Sequence, residues 1–137
     1  MDKSERTESM KTFKLLTLLS LLILFVVGLL GCTITDEEAI QQTVEGFFTA
    51  YENKEYSRCL EFLSKELKSS LGEGEIIDRL RTAQFLGDFT RLKSMGELKI
   101  GSTTATVWVD LEGFAGIVKT TQLYLVKEGS SWRINEY

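Results

Sequence analysis

Residues 103–111 read Thr-Thr-Ala-Thr-Val-Trp-Val-Asp-Leu, and their alternation decides the class of fold. Ala105, Val107, Val109 and Leu111 fall on one side of an extended chain; Thr104, Thr106, Trp108 and Asp110 fall on the other. Successive strand side chains point to opposite faces, so this is a strand with one apolar and one polar side. Gly101-Ser102 ahead of it reads as a hairpin turn. That turn joins a strand ending at Leu98-Lys99-Ile100, which starts near Phe89 and bends at Met95-Gly96. Downstream, a loop over 112–116 leads to a β-branched strand over 117–127, and a turn over 128–131 leads to a last strand over 132–137. The expectation is four consecutive antiparallel strands.

Upstream of Asp88 the period changes. Thr35-Asp36-Glu37-Glu38 has the form of a capping box, in which Thr35 and Glu38 each satisfy the other's backbone N–H. Ile40, Val44, Phe47, Phe48 and Tyr51 then recur at three- and four-residue steps, the signature of one buried helical face over 36–53. After a break at Asn53–Glu55, a second amphipathic piece runs from Tyr56 to Leu63, with Leu67 and Leu71 extending its stripe past Ser64. Gly72 and Gly74 interrupt it, and 75–86 reads as a third helix closed by Gly87. Helices followed by hairpin-linked strands mean an α+β fold: N-terminal helices packed on a curved four-stranded antiparallel sheet.

In this layout the chain resembles the nuclear transport factor two-like superfamily. The residues that carry the resemblance are Ile40-x-x-x-Val44-x-x-Phe47-Phe48-x-Ala50-Tyr51, then Asn53-Lys54-Glu55-Tyr56 and Cys59-Leu60. Near the other end they are Thr104–Val107 and the run from Leu123 to Ile134 that includes Gly129 and Trp132. The resemblance implies a cone whose interior serves as a pocket, with Phe47, Tyr51, Tyr124 and Trp132 as candidates to line it. It is also a pattern met in small lipoproteins.

Sixteen residues without a charge, Leu15–Leu30, follow Lys11 and Lys14 and precede Gly31-Cys32. A basic start, an apolar middle and a small residue at the cut make a secretory signal. Met10-Lys11-Thr12-Phe13-Lys14 is a more ordinary opening for one than the mixed charges of residues 1–9, which places the true start at Met10 or makes those nine an extension. Leu29-Leu30-Gly31-Cys32 resembles a lipobox. That resemblance implies a signal peptide over 1–31, lipid on the thiol of Cys32 and a single α+β domain over 32–137. The expected location is the cell membrane, lipid-anchored and facing outside the cytoplasm. The alternative is an uncleaved single-pass anchor, although a spanning helix wants about 20 apolar residues and the run is shorter. Only Thr33 and Ile34 separate Cys32 from the capping box. At about 3.6 Å per extended residue, the first helix then starts roughly 10 Å from the lipid.

Charge and missing residue types narrow the chemistry. The 137-residue chain carries 16 basic and 20 acidic side chains, and from Cys32 onward 12 against 17, a net −5. An acidic, interspersed surface lacks the basic stripe that nucleic acid requires. The chain has no histidine, so the commonest general base and transition-metal ligand are both missing. No catalytic residue, metal site or cofactor is assigned. Asp36-Glu37-Glu38 belongs to a helix start, and Gly72-x-Gly74 is far short of a phosphate loop. With Cys32 lipidated, Cys59 is the one remaining thiol, and its spacing with Tyr56, Leu60 and Leu63 puts it in a core stripe. Trp108, among threonines on the polar side of its strand, marks a candidate surface for a homodimer or a membrane-protein partner. Two functions fit these features: a non-catalytic binding or interaction module at the cell surface, and an isomerase- or dehydratase-like enzyme working in the cone. A buried carboxyl facing a tyrosine hydroxyl would mark the second.

Overall fold

In a computed structural model of the protein, residues 34–87 and 90–136 are described. They belong to one compact unit, Ile34–Tyr137. The leader, Cys32, Phe89 and Tyr137 lie outside the described residues. Among the described residues, no helix is long and apolar enough to cross a membrane.

Helix α1, Asp36–Glu52, opens with the complete capping box: the Glu38 N–H donates to Thr35 Oγ1 at 3.2 Å and the Thr35 N–H to Glu38 Oε2 at 3.1 Å. Its buried face is Ile40, Thr43, Val44, Phe47, Phe48 and Tyr51, with Ala50 beside them. Each large apolar side chain so buried is worth about 1.5–3 kcal/mol. Gly46, in mid-helix, leaves room for the ring of Phe62, with which any Cβ there would collide. The helix ends in a full Schellman motif. The Glu55 N–H reaches the Ala50 carbonyl at 2.8 Å and the Lys54 N–H the Tyr51 carbonyl at 3.0 Å. Lys54 holds the left-handed conformation, φ 63°, that glycine usually supplies at this point.

The second helical stretch is broken where the apolar stripe suggests continuity. Helix α2 is one turn, Tyr56–Cys59, followed by a 3₁₀ turn, Leu60–Phe62. Leu63 is extended and forms an isolated parallel bridge with Ile134. Ser64 then caps α3, Lys65–Leu71, accepting from the Leu67 N–H at 3.0 Å. The Ser64 N–H donates to the Ile134 carbonyl at 2.8 Å, and its buried hydroxyl donates to Asn135 Oδ1. These bonds to the last strand are what break the helix. Helix α4, Glu73–Phe85, starts earlier than expected, with Gly72 as its cap at φ 83° and Gly74 inside it.

Four strands follow: β1 Arg91–Ile100, β2 Thr104–Glu112, β3 Val118–Glu128 and β4 Ser131–Glu136. They form one antiparallel sheet in sequence order. The loop after β2 contains a 3₁₀ turn, Phe114–Gly116. β1 loses register at Leu92/Ser94 and again at Met95/Leu98, which bends the edge strand as the Met95-Gly96 pair suggests. The inward residues Ala105, Val107, Val109, Leu111, Leu123, Leu125, Trp132 and Ile134 are buried and join α1, Cys59, Leu60, Leu63, Ile76 and Leu80 in one core. Helices on one face of a four-stranded antiparallel sheet make the expected α+β architecture.

Candidate functional site

The helices cover the sheet unevenly, and where cover runs out a cavity of about 370 Å³ opens between helices and sheet. Its apolar floor is Phe47, Phe48 and Tyr51 from α1, Leu80 from α4, and Leu111 and Leu123 from the sheet. Polar side chains stand at the rim: Arg79, Lys119, Thr121, Asn135 and Glu136. Strand parity creates this gradient. The inward positions of β3 run Leu125, Leu123, Thr121, Lys119, from fully buried to exposed. On β4, Trp132 and Ile134 are buried, and a register shift beyond Ile134 brings Asn135 and Glu136 to the open end.

The one hydroxyl in the floor is engaged. Tyr51 donates to the Leu80 carbonyl at 3.1 Å. Gln84 fixes the same helix pair again, donating to the Tyr51 carbonyl at 3.1 Å, and ties in α2 by accepting from the Tyr56 hydroxyl at 2.6 Å. Among the described residues, no aspartate or glutamate is among the buried polar ones, which are Thr43 and Ser64. Among the described residues, every buried side-chain polar atom has a partner, and no cluster of three or more metal-ligating side chains occurs.

Of the four pocket candidates, Phe47 and Tyr51 line the cavity and two do not. Tyr124 lies on the other side of the sheet, opposite Thr106, and is 36 % exposed. Its neighbours Leu123 and Leu125 face inward, and alternation sends Tyr124 out. Trp132 does face inward, but at the closed end of the core, where it is 1 % exposed. Its Nε1 donates to Asp36 Oδ1 at 3.0 Å, and Lys127 Nζ reaches the same carboxylate at 2.7 Å while lying 5.5 Å from the indole centroid. The Lys127 and then the Trp132 hydrogen bonds hold the Asp36 carboxyl below the usual carboxylate range. Arg79, Leu80, Lys119 and Thr121 are among the lining residues beyond those candidates. The parity of β3, read down to Lys119, carries the signal for two of them.

Trp108 stands on the outer face, 40 % exposed, directly opposite Gln122. On that face Asp110 accepts from Thr120 at 2.6 Å and from Ser94 at 2.7 Å. Those two hydroxyls, Thr120 foremost, lower its pKa. Asp110 is thus a surface tie across three strands, remote from the cavity floor. Cys59 is completely buried, and desolvation pushes its thiol up to about 11.

No family model matches the chain, and no curated protein matches it in sequence. Solved structures do match in shape. One is the crystal structure of a Campylobacter jejuni protein assigned as an NTF2-like transpeptidase, at TM-score 0.53 and 11 % identity, covering 75 % of this chain and all of that one. Another is the solution structure of a SEC-C motif containing protein from Rhodopseudomonas palustris, at TM-score 0.53 and 15 % identity, covering 80 % and 82 %. At such identities the likeness is one of fold, and the fold is NTF2-like.

Proposed function

We propose that the protein is a non-catalytic binding module, held at the outer side of the cell membrane by lipid on Cys32, that takes an apolar ligand into the cavity between helices and sheet. The observation that carries this reading is the make-up of the cavity: an aromatic and aliphatic floor whose one hydroxyl is tied to a backbone carbonyl, with the charged groups confined to the rim. Binding pockets are concave and mostly apolar, with a few polar groups that fix orientation. The volume of about 370 Å³ lies at the small end of the usual range of about 300–1,000 Å³.

Proton transfer is poorly served by the same surroundings. A general acid or base must reach the reacting group with a matched pKa, and the Tyr51 hydroxyl is committed to a backbone carbonyl. The membrane location rests on the Leu29-Leu30-Gly31-Cys32 segment. Native mass spectrometry of the lipid-free unit Ile34–Tyr137, whose core is self-contained, tests the binding reading against a library of apolar small molecules. Retention of one molecule per chain is expected. Failure to retain any at millimolar concentration would sink it.

A further inference from the structure

We propose that the end of the domain opposite the start of α1 is a second membrane contact. There the tip of the loop between β2 and β3, with the end of α4 beside it, dips to the boundary between head groups and acyl chains. The proposal rests on the membrane location proposed above and is independent of the cavity.

Phe85 and Leu86 close α4, and Phe114 and Ile117 flank the turn after β2; all four are between 61 and 88 % exposed. The two places meet at Gly87. The Phe114 N–H donates to the Gly87 carbonyl at 3.4 Å, and the Phe114 side chain stands where a Cβ on Gly87 would press against it. The rings of Phe85 and Phe114 alone offer roughly 300 Å² of apolar surface. That is already the scale of the largest patch on an ordinary monomer, where such patches mark contact with a protein or a membrane.

The chemistry of the tip favours lipid. Gly113–Val118 reads Gly-Phe-Ala-Gly-Ile-Val, six residues without one polar side chain, whereas a protein interface is ringed by polar groups. Ala115 and Gly116, at the centre of the turn, are both left-handed, at φ 60° and 73°. Asparagine followed by glycine normally fills such a turn; alanine accepts the strain and brings no polar group. The tip also closes its own backbone. The N–H groups of Gly113, Gly116 and Ile117 donate to the carbonyls of Ile117, Gly113 and Phe114 at 2.9, 3.3 and 3.4 Å. A backbone donor left open is costly away from water, so a segment that approaches acyl chains must satisfy its own.

Helix α1 sets the distance between the two attachments. Asp36 at its start holds Lys127 and Trp132. Glu52 at its end pairs with Arg91, which also reaches Glu112, the residue before the tip. The 17 residues of α1, at about 1.5 Å each, put the tip roughly 25 Å from the tethered end. Once Cys32 is held in the bilayer, contact at the tip is an intramolecular event, and weak partitioning is enough to keep it there. Held at both ends, α1 lies along the membrane plane.

The test is tryptophan fluorescence of the full chain reconstituted in phosphatidylcholine vesicles, with Phe114→Trp as the reporter. Lipids brominated in the upper acyl chain should remove most of the emission that the new indole adds. The parent chain, with Trp108 and Trp132 only, should lose little. Leu86→Ser with Ile117→Ser in the reporter background should restore most of that emission. Both positions are exposed, so an unchanged denaturant midpoint shows that the fold is intact. Lipid on Cys32 and an uncleaved leader hold the full chain in the vesicle equally well, so failure of this contact and failure of lipidation are read separately. An added indole that escapes quenching would overturn the contact. Equal quenching in the parent chain would overturn it too, by laying the outer face of the sheet on the bilayer. Sedimentation of the Ile34–Tyr137 unit as a dimer that Phe114→Ser converts to a monomer would overturn the bilayer in favour of a second copy.

Discussion

Asp36, the first residue of α1, accepts a 3.0 Å hydrogen bond from the indole nitrogen of Trp132 on the last strand. With Lys127 on the same carboxylate, the start of the first helix is tied to both β3 and β4. The Asp36 pKa is depressed in the folded chain. The sign is therefore that of a group whose stabilisation is present above the ordinary value of 3.8 and is lost as pH falls through the depressed one. Asp36→Asn should lower stability to urea at pH 7, and the gap between the two proteins should close below pH 4. A gap that is constant with pH would show that the ionised carboxylate contributes nothing.

Ser64 does two things at once: it caps α3 and binds the end of β4. Ser64→Ala should cost about 1–2 kcal/mol, a lost N-cap together with a stranded buried partner. Ser64→Thr should recover part of the loss. Denaturant midpoints would check both, and a loss below about 0.3 kcal/mol would mean that β4 closes on the helices without this residue.

Lys54 occupies the left-handed position of a Schellman motif. Glycine relieves the steric penalty there at some entropic cost, so Lys54→Gly should raise stability by about 0.5–1 kcal/mol. Destabilisation on the same measurement would show that the lysine side chain makes a compensating contact.

Burial and a thiol pKa near 11 make Cys59 a poor nucleophile at neutral pH, because the thiolate is the reacting species. A disulfide-exchange reagent should modify it only on the timescale of unfolding. Modification within seconds in native buffer would show that α2 opens away from α1.

Much of this architecture is legible in the chain. The capping box and the 3.6-residue period set α1 to within a residue of its observed end, and clean alternation does the same for β2. The break after α2 is not legible from spacing. Leu60, Leu63, Leu67 and Leu71 sit at helical steps, and the reason for the break is pairing of Leu63 with Ile134, far along the chain. Nor does spacing show what Gly46 is for in mid-helix: the ring of Phe62 lies over it. For the site, Phe47 and Tyr51 follow from the helical face, whereas the resemblance that implies Tyr124 as a pocket residue does not carry the parity of β3, which turns it outward with Thr106. Trp132 shows the other limit: a period of two says which face a residue takes, and nothing about which end of the core stays open.

Lipidation is tested at Cys32. Cys32→Ser should leave an uncleaved precursor that takes up no labelled lipid. In the unaltered protein, a fluorophore on Glu38 should lie within about 20 Å of the bilayer surface, since few residues separate cap and anchor. Unchanged mobility and lipid uptake in the variant would favour the uncleaved anchor.

The binding reading itself is tested most directly by methyl NMR of the Ile34–Tyr137 unit titrated with decanol, a neutral probe that asks only whether the cavity takes an apolar chain. The expected result is saturable shifts at Leu80, Leu111 and Leu123, with the Trp108 indole and the Tyr124 ring on the outer face unmoved. Shifts confined to Trp108 and Tyr124, with the inward methyls silent, would contradict it and move the binding surface to the other side of the sheet.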